Sequence, residues 1–198
     1  MTCIIGYIDR KNKKTYIGAD NQVSVGLSKF NLPKNDKIFK PKDTNIIVAD
    51  SGDVRASQII RNFVHFPTDI ELQANNEEFN EKYIVTKLIP NIQNALKNNE
   101  WKDKGERSNT WMLIAYKDKL WKIYSNYGIL EVQDDFDSFG CGEQLALGSL
   151  YALKYNEELS IEEKIHKSLQ CSAYYSDGID KPYYIMNTED YEIKEYLE

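Results

Sequence analysis

Thr2 follows Met1 directly. A small hydroxyl residue in second place lets the aminopeptidase that trims initiator methionine remove Met1. Threonine would then carry a hydroxyl nucleophile and a free α-amino group on one residue, so nucleophile and base come together. The amine suits the second role because its reference pKa lies at about 8.

Other routes to catalysis have little material. The two histidines, His65 and His166, stand far apart, which argues against a histidine-based triad or a zinc site. Cys3, Cys141 and Cys171 are odd in number and widely spread, with neither metal nor disulfide spacing. They point to a reducing cytosol, and no metal or cofactor is expected. The net charge of −6 argues against a nucleic-acid partner, which asks for a basic face. The apolar start Cys3–Ile8 is too short for a signal-peptide core, and no run approaches transmembrane length, so a cytoplasmic protein without membrane contact is expected. A chain of 198 residues, 41% hydrophobic and 28% charged, fits one globular domain over 1–198.

The elements that would hold Thr2 in place can be read in order. Cys3–Ile8 and Thr15–Gly18 are rich in Ile and Tyr around a polar turn and predict a hairpin. Lys37-Ile38-Phe39 and Asn45–Ala49 predict two more strands. A helix starts near Asp53, with Val54, Ile59, Ile60, Phe63 and Val64 at helical spacing. Pro67–Asn80 reads as a polar connection. Tyr83 to Leu96 reads as a second helix kinked at Pro90, and Asn98–Asn109 as a loop. Trp111–Tyr116, Leu120–Tyr124 and Ile129–Val132 predict a meander, with Asp134, Asp135 and Asp137 in a solvated loop after it. After Gly140-Cys141-Gly142 comes a third helix through Leu153. Ser160-Ile161-Glu162-Glu163 is a capping box that opens a fourth, running to about Tyr174. Pro182–Met186 is the last strand. Strand blocks separated by helix pairs, rather than single alternation, predict an α+β fold: a four-layer αββα sandwich of two antiparallel sheets with a helix pair outside each.

These residues resemble the proteasome β-subunit family of N-terminal nucleophile hydrolases, including the bacterial peptidase that pairs with an ATP-driven unfoldase. They are also similar to uncharacterised proteasome-like proteins of bacteria and their viruses. The resemblance rests on Thr2, Gly18-Ala19-Asp20, Lys37-Ile38, Ser51-Gly52 and Gly140-Cys141-Gly142, in the family's order and over nearly the whole chain. It implies a threonine-type peptidase acting on peptides or unfolded proteins inside a homo-oligomeric ring, with an ATP-driven unfoldase as a candidate partner. By resemblance, Thr2 is the nucleophile, Lys37 its electrostatic activator and Asp20 the partner of that lysine. Gly52 would donate a backbone N–H to the oxyanion. Cys141, Ser176 and Asp177 stand near the family's auxiliary positions. Ala49 and Asp53, counted on from Lys37 by the family's spacing, would lie beside the substrate's first side chain, where a carboxylate favours cleavage after Lys or Arg.

Each position also has a plainer reading. Lys34 and Lys40 compete with Lys37, Asp20 is at a strand end, Gly52 is in a turn, and Asp53 stands where a helix N-cap belongs. Two positions depart from the family's pattern. The serine of the Gly-Ser-Gly element is Cys141, whose thiol is the weaker hydrogen-bond donor and acceptor. Ala173 stands at the family's aspartate position, with Asp177 nearby but out of register. A non-catalytic assembly or partner-binding protein of the same fold is therefore the second reading, and an amidase acting on a small amide the third.

Overall fold

The computed structural model describes residues 2–25, 28–31, 37–101 and 107–198. Lys34, a competitor of Lys37 in the sequence, and residues 102–106 of the expected loop Asn98–Asn109 lie outside the described residues.

Two five-stranded antiparallel sheets form the centre. The first runs β10 (Phe136–Gly140), β1 (Cys3–Asp9), β2 (Lys14–Asp20), β11 (Tyr183–Asn187) and β12 (Lys194–Tyr196). The second runs β5 (Ile38–Phe39), β6 (Ile46–Gly52), β7 (Thr110–Tyr116), β8 (Lys119–Ile123) and β9 (Ile129–Glu131). A separate hairpin joins β3 (Gln22–Val25) to β4 (Ser28–Asn31).

Strand alternation sorts the apolar residues into layers. Ile4, Ile17 and Ala19 of the first sheet meet Ile47, Ala49, Leu113 and Ala115 of the second between the sheets. The opposite faces are covered by helices. Cys3, Ile5 and Tyr16 pack against Ala146 and Leu150 of α5 (Glu143–Leu153) and Ile165 and Leu169 of α6 (Ile161–Tyr175). Ile46, Val48, Met112 and Ile114 pack against α1 (Val54–Phe63), α2 (Asp69–Ala74) and the run that ends in α4 (Ile89–Asn98). Both faces of each central strand are buried, so most of their residues are apolar. Full burial of one Ile or Leu contributes about 1.5–3 kcal/mol, which makes this double-sided core the main source of stability. This is the expected αββα sandwich.

Several elements differ from the sequence reading. The polar connection Pro67–Asn80 contains α2, whose cap is a complete Thr68/Glu71 capping box. The second helix is a helical run from α3 (Glu81–Tyr83) to α4, interrupted by a π turn at Ile84–Leu88. Pro90 sits in the first turn of α4, and the Ile89 N–H reaches back five residues to the Ile84 carbonyl, so the wide turn accommodates the proline. The acidic stretch read as a loop carries β10, paired with β1 from Cys3–Gly140 to Tyr7–Phe136. No helix among the described residues is long and apolar enough to cross a membrane.

Candidate active site

The site forms where the start of β1, the end of β2 and the lead into β5 meet. Asp20 is the last residue of β2 and is almost fully buried. Its Oδ1 accepts from the Lys37 ammonium at 2.8 Å and from the Cys3 N–H at 2.9 Å, and its Oδ2 accepts from the Gln22 N–H at 3.0 Å. One carboxylate thus ties Lys37 to the residue after Thr2. Lys37, expected on the strand itself, immediately precedes β5, and its carbonyl accepts from the Asp50 N–H at 3.0 Å, which fixes it to β6. The lysine side chain is 6% exposed and that of Asp20 is 0% exposed, so neither charge is shared with bulk water. Burial pushes the Lys37 ammonium below the ordinary lysine value, with Asp20 pulling the other way. Burial likewise raises the Asp20 carboxyl, opposed by Lys37 and the two amide donors.

Thr2 is buried, at 5% exposure. Its nitrogen donates to Cys141 Sγ at 3.3 Å, and its carbonyl accepts from the Cys141 thiol at 3.5 Å and from the Gly142 N–H at 3.4 Å. Ser176 Oγ lies 3.8 Å from the same sulfur. Gly140 has φ +102, and a Cβ there would collide with the Thr2 carbonyl, so only glycine lets β10 approach this closely. The neighbouring Cys3 thiol is pushed up to about 12 by burial, so it stays protonated and packs as a small core residue.

Gly52 ends β6 with φ +135, and a Cβ there would collide with the Asn109 carbonyl. It lines a cavity of about 100 Å³ together with Lys37, Asp50, Ser51 and Ser57. A second cavity, of about 440 Å³, opens on the other side of Ser51 and is lined by Thr2, Trp111, Lys122, Tyr124, Cys141 and Glu143.

Three expected site residues stand elsewhere. Ala49 faces the inter-sheet core and lines neither cavity, because alternation along β6 turns it away from the helix side. The Asp53 carboxylate caps α1, accepting from the Arg55 and Ala56 N–H groups at 2.9 and 3.2 Å, and this occupies it with backbone donors. Asp177 is exposed and contributes its carbonyl, to Gln22 Nε2 at 3.0 Å, rather than its carboxylate. The residue at the small cavity is Asp50, one register step from Ala49. The reading also missed Lys122, although a lone charge inside Leu120-Trp121-Lys122-Ile123 was the available signal. Its ammonium donates to Asp137 at 3.1 Å, the Ser138 carbonyl at 2.7 Å and Glu143 at 3.2 Å. Burial works against that charge, but the two carboxylates outweigh it and hold its pKa above the ordinary value.

Two sheets between helix pairs form an αββα sandwich. Solved structures share it across nearly the whole chain. Thiobacillus denitrificans BPH in complex with epoxomicin is 20% identical, covering 93% of this chain and 97% of that one at a TM-score of 0.75. The Anbu (Gly-1) mutant from Hyphomicrobium sp. strain MC1 is 12% identical, covering 100% and 87% at 0.69. Eukaryotic HslV from Trypanosoma brucei is 12% identical, covering 94% and 98% at 0.67. No family model and no curated protein matches the sequence.

Proposed function

We propose that the chain is a threonine-type peptidase in which Thr2, freed by removal of Met1, is the nucleophile. The observation that carries this is the buried Asp20 carboxylate, which holds the Lys37 ammonium and the Cys3 backbone together at the base of Thr2. In the reaction the Thr2 hydroxyl attacks a peptide carbonyl while its proton passes to the α-amine. That amine is the nitrogen now 3.3 Å from Cys141 Sγ. The Lys37 charge stabilises alkoxide character on the hydroxyl, and Asp20 keeps the ammonium aimed. Gly52 supplies an N–H to the oxyanion. Cys141 and Ser176 hold the amine in place of a serine–aspartate pair. No metal or cofactor enters this scheme.

The substrates are peptides or unfolded proteins, and the chain works in the cytoplasm as a homo-oligomeric ring fed by an ATP-driven unfoldase. In support, Val54 and Phe63 on α1, and Tyr151 on α5 with Tyr155 just past its end, are exposed on the outer helix layers. A strictly monomeric native mass at micromolar concentration overturns the ring. The chemistry is tested by the intact mass and by an epoxyketone of the epoxomicin type, whose two electrophilic centres match a hydroxyl and an amine on one residue. Loss of one methionine and a single adduct mapped to Thr2, absent in Thr2→Ala, is the expected result. Retained Met1 with no adduct favours the second reading, a non-catalytic assembly protein, for which Cys141 and Ala173 at the auxiliary positions speak.

A further inference from the structure

The two cavities that meet at Ser51 have different chemistry, and the larger one, which Thr2 lines, does not serve the acyl side of the reaction. When the tetrahedral intermediate collapses, the C–N bond breaks and the leaving nitrogen takes the proton that the Thr2 nitrogen accepted from the hydroxyl. The acyl group stays on Thr2 Oγ as an ester until water releases it. The leaving nitrogen must therefore come within hydrogen-bond reach of the Thr2 nitrogen. That nitrogen is on the Cys141 side, 3.3 Å from the sulfur. The 440 Å³ cavity is lined by both Thr2 and Cys141, whereas the 100 Å³ cavity is lined by Lys37 and Gly52. The large cavity is thus where the residue following the cleaved bond projects.

Its walls select a charge. Trp111, Tyr124 and Phe139 offer aromatic surface, and Glu143 stands among them. All three Lys122 protons are engaged, by Asp137, Ser138 and Glu143, so this ammonium has no donor left for a ligand. Asp137, outside the lining, shares the Lys122 ammonium with Glu143, so the lining carboxylate of Glu143 is only partly compensated. Lys122 bonds only Oε1 of Glu143, and Oε2 has no partner among the described residues. A long cationic side chain matches this: the stem lies along the aromatic faces and the charge reaches Glu143.

Resting on the peptidase reading, we infer that the cavity is a leaving-group subsite selective for Lys or Arg immediately after the cleaved bond, with Glu143 as the specificity-determining carboxylate. The test is a panel of internally quenched peptides identical except at that residue, incubated with the Met1-trimmed protein, with cut sites read by mass spectrometry. Peptides with Lys or Arg there should be cut about tenfold faster than those with Leu or Glu, the size expected of a charge-assisted contact. In Glu143→Gln the Lys-to-Leu rate ratio should fall to about one. The wild-type panel carries the test even if the variant folds poorly. Thr2-dependent cleavage with equal rates across the panel, or faster cleavage before Glu, overturns the subsite and leaves the peptidase standing. Absence of any Thr2-dependent cleavage overturns both.

Discussion

Two buried lysines flank Thr2, and their surroundings differ in a way that separates their roles. Lys37 has one carboxylate partner, itself buried, and burial lowers its pKa. Lys122 has two carboxylate partners, 26% and 32% exposed, and they raise its pKa. The first ammonium is held by a single carboxylate in a place where burial works against its charge. The second is over-compensated, and its charge is spent on the strand and helix it joins.

The largest effect is expected at Lys37. Lys37→Met should reduce epoxyketone labelling of Thr2 and peptide hydrolysis by about 10²–10³-fold, the scale of removing one preorganised electrostatic group. It also leaves Asp20 without its cation, so a stability loss of up to about 3–5 kcal/mol is expected in urea unfolding. Asp20→Asn in the same background should restore part of that stability without restoring labelling. Full activity in Lys37→Met would erase the distinction between the two lysines. Lys122→Met should cost about 1–3 kcal/mol, less than Lys37→Met, because water reaches both of its carboxylates.

The pH dependence sharpens the same contrast. On the peptidase reading the activating form of Lys37 is the ammonium, and its folded pKa lies below the ordinary lysine value of 10.5. Activity should therefore fall on the alkaline side at a pH below 10.5, as that proton leaves. Between the folded pKa and 10.5 the unfolded chain binds the extra proton, so this group taken alone makes stability rise with pH while activity falls. Lys122 has the opposite sign: its folded pKa is raised above 10.5, so its stabilisation is complete below 10.5 and is lost only above it. A pH–rate profile beside urea midpoints across pH 8–11 checks both, and Lys122→Met should leave the alkaline limb where it is.

Most of the sandwich was legible because its central strands are buried on both faces and most of their residues are apolar. The elements missed are those at the margins. β12 and the β3–β4 hairpin are short and polar or charged, as edges are kept to avoid unwanted pairing, and such sequences look like loops. β10 was hidden because Asp137 was read as solvated, when its carboxylate is taken up by Lys122. At the site, Thr2 was marked by its place after Met1, and Asp20 and Lys37 by the family resemblance; the fold brings Asp20 against Lys37 and the Cys3 backbone. Ala49 and Asp53 came from counting residues, and a strand reverses its faces at every step. Glu143 of α5 and Lys122 of β8 meet only through tertiary packing, which no local pattern announces.

The smallest expected effect lies at Asp53, and it tests whether a carboxylate close to Lys37 in sequence belongs to its site. Its Oδ1 accepts from two N–H groups of the first turn of α1. Asp53→Ala should lower stability by about 1 kcal/mol, the usual loss of an N-cap, with thermal unfolding as the readout. Asp53→Asn or Asp53→Ser, both good caps, should recover most of that loss. A peptidase that reads a basic residue through Asp53 would instead lose selectivity on the acyl side in all three variants. Recovery of stability in the two capping variants, with acyl-side selectivity unchanged throughout, assigns the carboxylate to the helix. Asp50, which lines the small cavity one register step from the inter-sheet face, is then the acidic residue through which acyl-side preference should be sought.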